Sequence, residues 1–371
     1  MNELGITKAS VRRRKSRIRS LPQMYIPELK APFIVDFEIT QRCPYRCFFC
    51  EADVPNIKPA SELSTDEILR ILEKLSKEEV PNVFFTGGEP LLRSDLPDLI
   101  RYSSNLGLDP CISTTAFNLD EYKLKQLIDA GLDSMQVSIH GPKGIHEAVV
   151  GGDGSYEIVM NNLKMVVEAG VRVEIACVGL RENIEHIPTL IRELAPLGVP
   201  FFRVLRYVPG HRKEMLEHIP PRRLVEKCIP EINRAAKEHG IDIALGFCPG
   251  TEGSTTHLVK GIHPVAFACP AGKTSFAIMP NGDVYPCIFF KNRPEMLCGN
   301  ILRDSVSEVW NNPRMVMFRR LTPGDYTGIC GRCERKWLCY SARCVAYNLT
   351  NDLYGDDLSC YIAREKLGLE V

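Results

Sequence analysis

A chain of 371 residues, 44% of them apolar, has material for one large or two moderate packed domains. Lysine plus arginine and aspartate plus glutamate both total 46, so overall charge does not point to a polyanionic partner such as nucleic acid. No run approaches the roughly 20 apolar residues of a membrane span, and the N-terminus lacks an apolar h-region and a cleavage site, so the chain reads as cytoplasmic. Fifteen cysteines in a reducing compartment argue for metal or redox use rather than a disulfide framework.

Residues 1–31 read as a basic tail. From Lys8 to Arg19 seven of twelve residues are basic, a run that reads as solvated rather than as a nucleic-acid or membrane arm. Six short apolar segments follow as predicted strands: Phe33–Thr40, Asn82–Thr86, Leu108–Thr114, Ser134–Ile139, Val171–Val178 and Phe201–Arg206. Helical patterns lie between them. Ser64-Thr-Asp-Glu67 is a capping box ahead of apolar Ile68, Leu69, Ile71, Leu72 and Leu75. Asn118-Leu-Asp-Glu121 reads as a similar start, and Gly131 and Gly170 stand where left-handed C-terminal caps are wanted. Alternating strand and helix predicts an α/β fold, a partial (β/α)6 TIM-like barrel over 32–215. Residues 216–262 read as a helical linker ending in a Gly/Thr loop. Residues 263–371 form a small cysteine-rich segment that metal, more than a large apolar core, is expected to organise.

Chemistry-bearing clusters follow the strands. Cys43, Cys47 and Cys50 (CPYRCFFC) follow the first, Gly87-Gly88-Glu89-Pro90 the second and Thr114-Thr115 the third. Ser138-Ile139-His140-Gly141 ends the fourth, and Arg206-Tyr207 the sixth. Parallel barrels place their sites at these strand ends, so the five clusters are expected at one mouth. The trio is the sharpest signal. An iron–sulfur cube takes four thiolates; three can hold three irons and leave the fourth open to a ligand, as catalytic metal sites do.

Cys43-x3-Cys47-x2-Cys50 with aromatic Phe49, the GGEP segment and the six-unit strand–helix order resemble the radical S-adenosylmethionine (SAM) superfamily over about residues 33–210. The resemblance implies a [4Fe-4S] cluster on the three cysteines, whose free iron chelates the methionine moiety of SAM. Reductive cleavage then yields a 5′-deoxyadenosyl radical that abstracts a substrate hydrogen. Gly87 and Gly88 would approach the ligand with their backbone, their carbonyls and Glu89 would meet the methionine ammonium, Phe49 would lie on the adenine, and Ser138 would bond the ribose. Thr114, His140 and Arg206 also fit sheet-capping roles. Thr115-Ala116-Phe117 stands where many relatives have Asn-Gly; His140 and Val149-Val150 replace an Asp and an Arg. These departures point to remodelled ribose recognition.

Cys269-x12-Gly282-x4-Cys287, Cys330-x2-Cys333-x5-Cys339, Cys344 and Cys360 resemble the SPASM domain, which carries up to two auxiliary iron–sulfur clusters. By analogy Cys330, Cys333, Cys339 and Cys360 ligate one, and Cys269, Cys287 and Cys344 the other. Four residues separate Cys339 from Cys344 where the family has three, leaving a fourth ligand open between Cys298 and Cys248. Zinc on the Cys-x2-Cys pair is the alternative metal. Cys111, Cys177 and Cys228 read as packing residues.

The resemblance implies an oxidoreductase or maturase acting on a peptide or protein, with tetrapyrrole modification as the alternative and a flavodoxin- or ferredoxin-type reductant as partner. Ile288, where sulfatase maturases place an acidic residue, counts against a sulfatase substrate. The stretch before Phe33 is short for a leader-binding module, so a leader peptide would need a separate binding protein. A non-catalytic iron–sulfur electron carrier would need no SAM pocket, and a zinc-stabilised nucleic-acid binder would need a basic surface beyond residue 19.

Overall fold

The computed structural model describes residues 29–50, 62–247, 269–339 and 342–369. Residues 1–28 of the basic tail, the Gly/Thr loop and Cys248 lie outside them. Seven strands alternate with helices: β1 (Ile34–Thr40), α1 (Thr65–Lys77), β2 (Asn82–Gly87), α2 (Leu96–Asn105), β3 (Asp109–Thr114), α3 (Glu121–Ala130), β4 (Ser134–Ser138), α4 (Lys143–Val150), α5 (Ser155–Glu168), β5 (Arg172–Gly179), α6 (Ile187–Leu194), β6 (Phe201–Arg206), α7 (Arg222–Glu238) and β7 (Asp242–Leu245). Neighbouring strands from β1 to β7 pair in parallel and in sequence order, the arrangement that helical crossovers impose. Alternate residues divide the faces. Val35, Phe37 and Ile39 of β1 are buried in one apolar core with Ile68, Ile71, Leu72 and Leu75 of α1, while Asp36, Glu38 and Thr40 occupy the intervening positions.

Local signals set the helix ends. Ser64 accepts from Glu67 N and the Glu67 carboxylate accepts from Ser64 N at 2.8 Å, closing the expected capping box. The start expected at Asn118 falls two residues later. Asp120 accepts from Lys123 N, because Asn118 takes a left-handed turn (φ +59°). Gly131 ends α3 at φ +95°.

Two sequence expectations need correction. The stretch expected as a helical linker contributes a seventh parallel strand, β7, registered from Phe201↔Asp242 to Val204↔Leu245; four residues are too few for alternation to declare itself. The C-terminal segment, expected to depend mainly on metal, has an apolar core of its own. Phe290, Met296, Phe318, Val345 and Leu349 are buried together. Its strands β8 (Ser275–Ile278), β9 (Asp283–Tyr285) and β10 (Gly299–Asn300) extend the same sheet. β8 pairs in parallel with β1 and antiparallel with β9, giving the order β10-β9-β8-β1-β2-β3-β4-β5-β6-β7. Short helices α8 (Val306–Trp310), α9 (Pro313–Arg320), α10 (Gly328–Arg332), α11 (Arg343–Thr350) and α12 (Tyr361–Lys366) complete the segment. Among the described residues no helix is long and apolar enough to cross a membrane.

Candidate active site

The loop carrying the first three cysteines is moulded by the end of β2. Gly88 N donates to Thr40 O at 2.8 Å and Glu89 N to Arg42 O at 2.7 Å. A Cβ on Gly87 would stand 2.2 Å from Thr40 O, and one on Gly88 2.1 Å from Arg42 O. Gly87 is also at φ +132°. The glycine pair is therefore required by backbone contact with the cysteine loop, besides any ligand. Within that loop Cys50 N donates to Cys47 O at 3.1 Å, and Arg46 N donates to Val150 O of α4 at 3.0 Å.

A cavity of about 140 Å³ opens at the C-terminal strand ends. Cys43, Cys47 and Cys50 line it together with Phe49, Gly87, Gly88 and Ser138, as do Thr114, Thr115 and His140. Phe49 meets His140 edge-on at 4.7 Å between centroids. Two expected members stand elsewhere. Arg206 ion-pairs with Asp357 at 2.8 Å and bonds Ser359, joining β6 to the C-terminal segment. Glu89 is fully buried and does not line the cavity. Its Oε1 accepts from Thr114 Oγ1 (2.6 Å) and Leu91 N (3.0 Å), its Oε2 from Thr115 N (2.7 Å) and Thr115 Oγ1 (2.6 Å). Burial pushes its pKa up against those four bonds. Glu89 thus pins the β2 loop to the end of β3 behind the wall.

Two features of the wall were not legible from spacing. Tyr45, in the cysteine loop, is 7% exposed, and its hydroxyl has no partner among the described residues. The ring is wedged against Gly152, where a Cβ would approach it to 2.7 Å, and meets Phe117 edge-on. The second feature is a histidine pair. His140 Nδ1 accepts from Val178 N at 3.2 Å, and His146 Nδ1 accepts from His140 N at 3.1 Å. Backbone amides can only donate, so both rings carry their proton on Nε2. Burial lowers their pKa values to about 3 and about 4.

The histidine pair yields a pH dependence. Histidines depressed below the ordinary 6.5 contribute fully above that value. As pH falls from 6.5 towards 4, the unfolded chain takes up protons that the folded chain refuses. Stability then drops on the order of 1.4 kcal/mol per pH unit for each ring. In iron-free protein the denaturant midpoint should be lower at pH 5.5 than at 7.5, and His140→Asn should flatten that slope; equal slopes would contradict the assignment.

The donor set fits an iron–sulfur cluster. Burial raises the Cys43 thiol to about 11, a neutral state that iron coordination reverses. The unpartnered Tyr45 hydroxyl, flanked by Cys43 and Cys47, offers a donor to a group rich in acceptors. Among the described residues no three His, Cys, Asp or Glu side chains close on a point as the ligands of one ion do; thiolates of a cube bind separate irons. Loss of that hydroxyl in Tyr45→Phe should leave iron content intact and shift the first cluster's electron paramagnetic resonance signal. An unchanged signal would place the hydroxyl away from the cluster.

Further along, Cys330, Cys333, Cys339 and Cys360 line a single cavity of about 30 Å³. Cys287 hydrogen-bonds Cys344, and Cys269 is electrostatically linked to Cys344. Cys269 also holds a strained backbone at φ +28°. Cys298 does not join this trio. It is buried in the main core with its Sγ turned to Met296 O at 3.4 Å. Cys177 and Cys228 are buried in that core too, and Cys111 bonds Ser134 and Asp133 at the opposite strand ends.

The radical SAM superfamily model matches residues 37–194, and that of SPASM, an iron–sulfur cluster-binding domain, matches residues 269–334. The chain is a radical SAM enzyme with a C-terminal SPASM domain. Radical SAM/SPASM enzymes carry a SAM-binding [4Fe-4S] cluster and auxiliary clusters. The chain is similar to the AdoMet-dependent heme synthase of Oleidesulfovibrio alaskensis, 25% identical over 356 residues, 90% of this chain and 88% of the relative. It is likewise similar to the PqqA peptide cyclase of Rhizobium meliloti, 28% identical over 356 residues, 93% and 92% of the two chains. In fold it matches Streptococcus suis SuiB bound to S-adenosylmethionine at a TM-score of 0.71 and 18% identity, covering 90% of this chain and 78% of SuiB.

Proposed function

We propose that this radical SAM/SPASM enzyme binds SAM on a cluster held by Cys43, Cys47 and Cys50 and uses it to mature a peptide or protein. The observation that carries the reading is one strand-end cavity lined by all three thiols together with Phe49, Gly87, Gly88 and Ser138. When bound, the reduced cluster and SAM supply a 5′-deoxyadenosyl radical. The chain's own residues would orient and enclose SAM: the glycine backbone would face its methionine end, Phe49 would cover the adenine, and Ser138 would offer a hydroxyl to the ribose. Neutral His140 and His146 add no charge beside a sulfonium cation. Cys330, Cys333, Cys339 and Cys360 hold one auxiliary cluster, and Cys269, Cys287 and Cys344 a second. A flavodoxin- or ferredoxin-type protein delivers the electron.

Peptide or protein maturation is supported by the likeness to a PqqA peptide cyclase over almost the whole of both chains. The second reading, tetrapyrrole modification by the same chemistry, is supported by the likeness to AdoMet-dependent heme synthases. The test is deuterium transfer into 5′-deoxyadenosine from labelled candidates in separate reactions. Transfer from a peptide alone is the expected result. Transfer from a carboxylated tetrapyrrole alone would overturn it in favour of the second reading. Cys43→Ala should remove about four irons per chain and leave the auxiliary iron bound.

A further inference from the structure

Arg343 is fully buried, an unusual place for a guanidinium, which stays charged at any working pH. Its Nη1 donates to Leu353 O at 3.1 Å and Gly355 O at 2.8 Å, which fixes the head group. Its Nη2 stands 3.9 Å from Cys330 Sγ, and its Cζ lies 4.3 Å from the centre of the Tyr326 ring. Tyr326 lines the four-cysteine cavity beside Cys330. On the other side, the backbone N–H of Arg343 bonds Cys269, and the next residue is Cys344. One residue therefore touches both cysteine sets: the first with its charge, the second with its backbone.

We propose that Arg343, whose backbone meets the second auxiliary site, holds up with its charge the reduction potential of the cluster at Cys330. This rests on the reading that both cysteine sets carry clusters. Cluster potentials follow local charge, hydrogen bonds to sulfur and exposure. Reduction adds one negative charge to the cluster, and a buried cation beside a ligand thiolate attracts that charge more strongly than the same cation would across water. The guanidinium also cannot be lost by titration. Asp357 modulates the effect: its N–H donates to Cys330 Sγ at 3.4 Å while its carboxylate pairs with Arg206. Asp356 accepts from Cys330 N at 2.8 Å.

The experiment uses full-length protein, anaerobically reconstituted, with iron and sulfide counted before a dithionite titration followed by electron paramagnetic resonance. Arg343→Met removes the charge, Arg343→Gln removes it but keeps donors, and Arg343→Lys keeps it. At the wild-type midpoint, Arg343→Met and Arg343→Gln should lower the reduced-to-oxidised ratio of one auxiliary signal at least tenfold, about 59 mV for one electron. The SAM-binding cluster's signal should not move, and Arg343→Lys should restore most of the shift. Full iron with unmoved potentials would overturn the proposal. So would loss of auxiliary iron from both uncharged variants, which would make Arg343 a scaffold residue. Wild-type protein with only about four irons would instead overturn the underlying two-site reading.

Discussion

Gly88→Ala is expected to strip the first cluster from the protein. A Cβ there would stand 2.1 Å from Arg42 O and 2.6 Å from Arg42 C, far inside contact distance, and both atoms are backbone that no rotamer change can move. The loop must shift, and with it Cys43, the next residue. Glu89 N, which donates to Arg42 O at 2.7 Å, loses that geometry as well. A misplacement of about 1 Å costs on the order of 100-fold in a preorganised site. Iron should therefore fall by about four atoms per chain, and SAM cleavage by at least about 100-fold. The auxiliary cysteines, beginning at Cys269, should keep their iron. Gly154→Ala is the control, since a Cβ there meets nothing within 4 Å although φ is +75°. Gly88→Ala protein with full iron and wild-type cleavage would show that the loop tolerates the displacement.

The second large effect belongs to Glu89→Gln. Each carboxylate oxygen receives one backbone N–H, Leu91 N on Oε1 and Thr115 N on Oε2. A glutamine amide has only one acceptor oxygen. Either flip sets its NH2 against an N–H that cannot reverse, whereas the Thr114 and Thr115 hydroxyls can turn. One backbone donor is then buried without a partner and the charge that strengthened all four bonds is gone, for a loss of about 3 kcal/mol. The denaturant midpoint should fall accordingly, and the β2 loop should loosen with it. A midpoint within error of wild type would mean that Glu89 is already protonated and donating in the folded protein.

What was readable in the sequence follows from the range of each interaction. Six strands and the Ser64 cap rest on patterns a few residues long, and they stand in the structure within a residue or so of their expected ends. Asp242–Leu245 was too short to alternate visibly, and nothing local tells that Ser275–Ile278 will pair with β1. The same holds at the site. Strand-end position brought the cysteine trio, Phe49, the glycines and Ser138 to one cavity. The role of Glu89 is set by Thr114 and Thr115, about 25 residues away, and the tautomer of His140 by Val178, 38 residues away. The packing of Tyr45 is likewise set from far along the chain, by Gly152 against its ring.

The most direct test is product release. Anaerobically reconstituted, reduced wild-type protein incubated with SAM should form 5′-deoxyadenosine, detected by chromatography, while Cys43→Ala protein with its auxiliary iron intact should form none. Absence of 5′-deoxyadenosine from wild-type protein with all clusters loaded, or equal amounts from both proteins, would contradict a SAM-cleaving centre at Cys43, Cys47 and Cys50.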